Sequence, residues 1–109
     1  MIELLIVMAL LGILAVVAVP QFHQYKIRAF DTETKSTLHE IFLSCKAFWQ
    51  DTDPANDCNV STISNTSYGF VQDAAMLVSA AGNENGFSAT GQHTDSPNAY
   101  SIDSAGNIN

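Results

Sequence analysis

From Leu4 to Val19 the chain runs for 16 residues without a charged or hydrogen-bonding side chain. A bilayer core of about 30 Å takes roughly 20 apolar helical residues, and with Met1 and Ile2 the run reaches that range. A stretch this apolar has to be covered, by lipid or by other apolar chains. A cleavable signal peptide would place basic residues ahead of the run and small residues at a cut site. Here Glu3 stands where Lys or Arg would be expected. A carboxylate inside an apolar end costs several kcal/mol unless it is paired. Glu3 is therefore either a carboxylate that finds a positive partner on another copy, or a headgroup-level carboxylate without one.

The remainder is rich in Asn, Ser, Thr, Asp and Gly, so the 109 residues join two unlike parts. The formal charge is −7, and Lys26, Arg28, Lys35 and Lys46 are the only Lys and Arg residues. This balance keeps the polar part soluble and disfavours nucleic-acid phosphates, which call for clustered cations. Two cysteines, Cys45 and Cys58, lack any CxxC spacing. Zinc takes about four ligands, and His39 and His93 have no supporting spacing, so no metal or other cofactor is expected. In an exported chain the pair reads as one disulfide, with two free structural thiols as the alternative. His23 and His39 read as solvated or interface residues. Asp51, Asp53 and Asp57 read as a solvated acidic loop rather than a calcium site. Asn59-Val60-Ser61 and Asn65-Thr66-Ser67 match the N-glycosylation pattern. The chain carries no Gly-x-Ser-x-Gly context and no phosphate-binding glycine loop, and we expect no enzyme.

Leu38, Ile41, Phe42, Cys45, Phe48 and Trp49 recur at helical spacing and form one face. Asp31, Glu33, Lys35 and Glu40 lie largely off it. Asp51-Thr52-Asp53-Pro54 ends the helix, because proline disfavours helical geometry in the residue before it. One helix from about residue 1 to about residue 51 would be roughly 75 Å long. Further on, Ser67–Gln72, Ala75–Ala81, Phe87–His93 and Asn98–Asp103 read as short strands. They are separated by turn residues, notably Gly82–Gly86 and Thr94–Pro97, and Ile108 follows as a last strand residue. The predicted architecture is α+β: a long N-terminal helix, apolar in its first half. Its second half packs against a three- or four-stranded antiparallel sheet. Residues 1–22 are the apolar core helix, 23–51 its amphipathic continuation, and 52–109 the globular loop and sheet. Cys45 and Cys58 would clip the connecting loop to the helix.

Ile2-Glu3-Leu4-Leu5-Ile6-Val7, Leu11-Gly12-Ile13-Leu14-Ala15 and Val19-Pro20-Gln21-Phe22 resemble the N-terminus of type IV pilins. The match covers residues 1–22, and the layout of helix, loop and small sheet agrees. One departure is that the glutamate is normally the fifth residue of mature pilins and here is the third. The simplest explanation is that the given chain lacks two residues of the mature form and the short basic leader. The resemblance implies a structural subunit that waits in the bacterial inner membrane. A prepilin peptidase trims it, and pilus machinery extracts it into an extracellular homopolymer used for adhesion, motility or DNA uptake. It implies that Glu3 pairs with a neighbour's terminal amine. Leu4, Leu5, Ile6, Val7, Leu11, Leu14 and Phe22 would line the subunit contact. Gly12 and Pro20 are expected to mark the stretch most easily unwound, since glycine disfavours helix by about 1 kcal/mol and proline removes a backbone hydrogen bond.

Two rivals remain at this stage. A major pseudopilin of a type II secretion system shares the N-terminal motif, but usually carries a Tyr-Pro element and a calcium-binding C-terminal loop, neither evident here. A binding domain on a single-pass anchor predicts a monomer whose assembly does not depend on Glu3. Phe22, Tyr25 and Phe30 read as packing aromatics rather than an electron path.

Overall fold

The structure is a computed structural model that describes residues 1–109, except for the side-chain surroundings of residues 18–20. Helix α1 spans Ile2–Asp51 and a short helix α2 spans Val60–Ile63. Strands β1 (Met76–Ala81), β2 (Ser88–His93) and β3 (Ala99–Asp103) follow. The helix stops where Pro54 predicts, with the Thr52 N–H held by the Phe48 carbonyl at 2.9 Å. The molecule measures 77 × 26 × 17 Å, with a radius of gyration of 21.1 Å. A compact chain of this length would have a radius of about 13 Å. The excess is the apolar half of α1, which projects beyond everything else.

The sheet is an antiparallel meander in the order β1-β2-β3. Met76 pairs with His93 and Ala81 with Ser88, while Ala89 pairs with Ile102. Alternation along β2 turns Ala89, Gly91 and His93 inward and leaves Ser88 and Thr90 exposed. Gly91 sits where the helix crosses the middle strand. A Cβ there would lie 3.3 Å from Thr34 Cγ2 and 3.4 Å from Leu38 Cδ2, so a larger residue would hold α1 away from the sheet. Opposite lie Thr34, Leu38, Ile41, Cys45 and Trp49, all buried. The helical stripe read from the sequence thus holds and extends one turn upstream to Thr34. Full burial of a side chain such as Leu38 or Ile41 stabilises by roughly 1.5–3 kcal/mol. Ile63, Phe70, Phe87 and Ile102 complete the core. Ile108 bridges back to Ile102, as the sequence suggested.

Ser67–Gln72 is not a strand. The Asn65 side chain accepts the backbone N–H groups of Ser67 and Tyr68 at 2.9 and 3.2 Å. The Gly69 N–H goes to the Asn65 carbonyl at 2.8 Å, and that of Phe70 to Ile63 at 3.3 Å. Local turns thus consume the donors a ladder would need, and Gly69 adopts a positive φ of 72°. The segment still delivers Phe70 to the core while leaving Val71 exposed. Helix α2 was not anticipated. Its signal was Asn59, whose side chain accepts the Thr62 N–H at 2.8 Å as an N-cap.

Candidate functional site

Among the described residues, no element packs on the apolar half of α1. Ile2, Leu4, Leu5, Ile6, Val7, Met8, Leu10, Leu11, Ile13, Leu14, Val16 and Val17 are between 53% and 73% exposed. These side chains point to every side of the helix, so no single face distinguishes a core. Even half of the roughly 1.5–3 kcal/mol available per fully buried side chain makes covering all twelve worth on the order of 10–20 kcal/mol. That is comparable with the whole stability of a small domain, about 5–15 kcal/mol. Among the described residues, the first to lose exposure are Ile27 and Phe30. At 1.5 Å per residue the projecting part is about 39 Å long, enough for a bilayer core of about 30 Å. By length and composition α1 can cross a membrane.

Glu3 lies in the first turn of α1, exposed, and forms no ion pair among the described residues. The helix dipole favours a carboxylate there by about 0.3–1 kcal/mol, which does not offset burial of a lone charge. Leu4, Leu5, Ile6, Val7, Leu11 and Leu14 follow it along the spike, all exposed, and Phe22 is 62% exposed further down. Gly12 has nothing within 4 Å of the position its Cβ would take, so no contact inside the protomer demands glycine there. The expectation for Pro20 lies outside the described residues.

Below the spike is a joint that the sequence did not announce. The rings of Phe30 and His93 stack at 4.1 Å. The His93 Nδ1 accepts the Asp95 N–H at 3.0 Å, and Nε2 faces Glu33 Oε2 at 3.7 Å. Asp31 Oδ1 accepts the Ser96 hydroxyl at 2.6 Å, and Oδ2 accepts the Asn98 amide at 2.8 Å. The Ser96 hydroxyl above all, then Asn98, Tyr100 and the charge of Lys35, hold the Asp31 carboxyl below its ordinary range against the opposing effect of burial. Burial first, and then the Asp31 carboxylate, push the Tyr100 phenol up. Asp31, read from the sequence as off the apolar face, is in fact half-buried against the sheet. No local pattern linked it to residues 65 and 67 positions away.

At the far end Cys45 and Cys58 form a disulfide with both residues fully buried. The Trp49 Nε1–H donates to the Asn56 carbonyl at 2.9 Å, and Lys46 reaches Glu84 at 3.5 Å. The Phe48 ring meets Tyr68 edge-on. His23 and His39 are exposed, and Phe22 and Tyr25 make no ring–ring contact among the described residues. Asn59 and Asn65, the candidate glycosylation positions, spend their side chains on the cap and turn described above. Asp51, Asp53 and Asp57 gather into no metal-holding group among the described residues.

No protein-family model matches the chain. Over 79 residues, or 69% of its length, it is 33% identical to the type IV major pilin protein PilA of Myxococcus xanthus (strain DK1622). The chain spans 36% of the length of that relative. In its apolar N-terminal helix, small antiparallel sheet, disulfide and sequence, this chain resembles the type IV major pilins.

Proposed function

We propose that the chain is the structural subunit of a filament made of its own copies, stored in a membrane by the same helix that later packs in the fibre. The observation that carries this reading is the exposed apolar half of α1. A surface that apolar on all sides is stable only in lipid or within a bundle of like helices, and the small sheet cannot cover it. Similarity to a protein named as a type IV major pilin supports the same role. Leu4, Leu5, Ile6, Val7, Leu11, Leu14 and Phe22 then make the contact between copies, and Glu3 pairs with a neighbour's terminal amine. Gly12 and Pro20 are the stretch that unwinds in the fibre. A prepilin peptidase and pilus machinery act on the chain at the bacterial inner membrane, and the filament stands outside the cell.

The pairing of Glu3 separates a filament subunit from a domain on a plain anchor. Glu3→Ala removes a costly charge from the apolar segment, so membrane insertion should persist while filaments sheared from the cell surface fall at least about tenfold, the equivalent of about 1.4 kcal/mol per contact. The measurement is the amount of subunit in the membrane and in sheared fibres. Undiminished fibres from Glu3→Ala would remove the role given to Glu3, and absence of fibres from the unaltered chain would remove the filament reading itself.

A further inference from the structure

All four Lys and Arg residues lie on α1, and residues 52–109 contain none. Two of the four reach the globular part of their own protomer. Lys35 Nζ stands 4.9 Å from the centre of the Tyr100 ring, and Lys46 pairs with Glu84 at 3.5 Å. Lys26 and Arg28 meet no carboxylate among the described residues, and both are exposed. Lys26 lies 5.0 Å over the Phe22 ring, which is itself in the open. Two residues apart on a helix, the two cations leave the axis about 200° apart, so a neighbour on either side meets one of them. They form a basic collar directly below the apolar spike.

The globular part turns an acidic rim toward that collar. His93 is stacked on Phe30, and the Thr94 N–H bonds to the Ala75 carbonyl at 2.9 Å. Met76 N–H bonds to the Asp73 carbonyl at 3.0 Å. Asp73 and Asp95 therefore sit at the end of the sheet nearest the spike, beside Glu33, and all three are exposed. Among the described residues Glu33 pairs only with the His93 ring, at 3.7 Å, and the Asp95 carboxylate accepts no hydrogen bond, while that of Asp73 accepts the Ala75 N–H at 2.9 Å.

Within one copy the collar and rim are offset along the axis: Lys26 and Glu33 are seven residues apart, about 10 Å. Parallel copies in level register would set collar against collar and rim against rim. A neighbour displaced by about 7–10 Å would bring its rim opposite the collar. The apolar helices attract without choosing a displacement, because burial is non-directional. Charges do choose, because a cation and a carboxylate brought into contact lie well within the Debye length, about 8 Å at physiological salt.

We propose that Lys26 and Arg28 of one copy dock on the Glu33, Asp73 and Asp95 rim of a second copy and set the axial stagger of the assembly. This rests on the filament reading above and adds which surfaces of the second copy are met. The test uses the full chain in cells that make its filaments. Lys26→Glu with Arg28→Glu should leave the disulfide-bonded subunit in the membrane and lower sheared filaments at least about tenfold, as repulsion replaces attraction at two contacts. Adding Glu33→Lys and Asp95→Lys to that variant should restore filaments, because the signs again oppose. As a second measurement that does not depend on yield, cells making Lys26→Cys subunits together with Asp95→Cys subunits should form a disulfide between the two copies. Normal filaments from the collar variant overturn the proposal and leave the filament reading standing. Loss of filaments without rescue by the rim reversals and without the inter-copy disulfide overturns it in favour of a lipid-headgroup contact. Absence of filaments from the unaltered chain overturns both.

Discussion

Replacing Cys45 and Cys58 together by alanine tests what holds the globular end on its helix. The bond closes a loop of sequence separation 13. On the chain-entropy relation, freeing that loop in the unfolded state costs about 3 kcal/mol at 25 °C. Both residues are fully buried, so removing the two sulfurs also leaves a void next to Trp49, adding on the order of 0.5–1.5 kcal/mol for each. The expected loss is about 4–6 kcal/mol, a large part of the stability of a small domain. The assay is urea unfolding in detergent followed by the fluorescence of Trp49. It is the one tryptophan of the chain, buried beside the disulfide with its indole N–H on the Asn56 carbonyl. Three further ties hold the same region: Cys58 N–H to the Gly82 carbonyl, Glu84 N–H to the Pro54 carbonyl, and Lys46 to Glu84. If these alone sufficed, the variant would unfold within about 1 kcal/mol of the parent, and the argument from loop closure would be refuted. Separate unfolding of the loop before the sheet would refute it equally, since the bond is argued to make the two melt together.

Two further outcomes follow from single positions. Asp31 has a lowered folded pKa against a reference of 3.8, so its stabilising effect is fully present above about pH 4 and is lost as pH falls through the folded value. Asp31→Asn should therefore be less stable than the parent at neutral pH, with the gap in urea midpoints closing below about pH 4; a gap that stays constant down to about pH 2 would count against the Ser96 and Asn98 contacts as its source. Gly82 has a φ of 101°, and a Cβ there would run into the Gly86 carbonyl. Gly82→Ala should cost on the order of 1–3 kcal/mol in the same assay, and a neutral result would mean that the β1–β2 turn readily adopts another shape.

The residues that local patterns made legible are those whose partners are near in sequence or whose chemistry is the same in any setting. Pro54 ends α1 because of what proline does to the residue before it. The stripe from Leu38 to Trp49 reads as buried because a helical period allows one apolar face. Gly82–Gly86 reads as a turn between strands, and the apolar stretch after Glu3 could be recognised as needing lipid or like helices whatever else the chain does. Ser67–Gln72 misled for the complementary reason. Its β-prone composition, Tyr68, Phe70 and Val71, says nothing about where Asn65 sends its side chain, and that turn took the backbone donors.

The joint at Phe30, Asp31, His93 and Ser96 was decided by tertiary structure alone. It joins groups more than 60 residues apart, and their contact exists only after the sheet docks on the helix. The acidic rim belongs to the same class: the register of β1 with β2 brings Asp73 and Asp95 to one end of the sheet, and docking of α1 sets Glu33 against His93 there. Hydrophobic periodicity is a property of adjacent residues, so the chain shows it directly. Hydrogen bonds and charge pairing between distant residues depend on which surfaces meet, and only the folded chain brings those surfaces together.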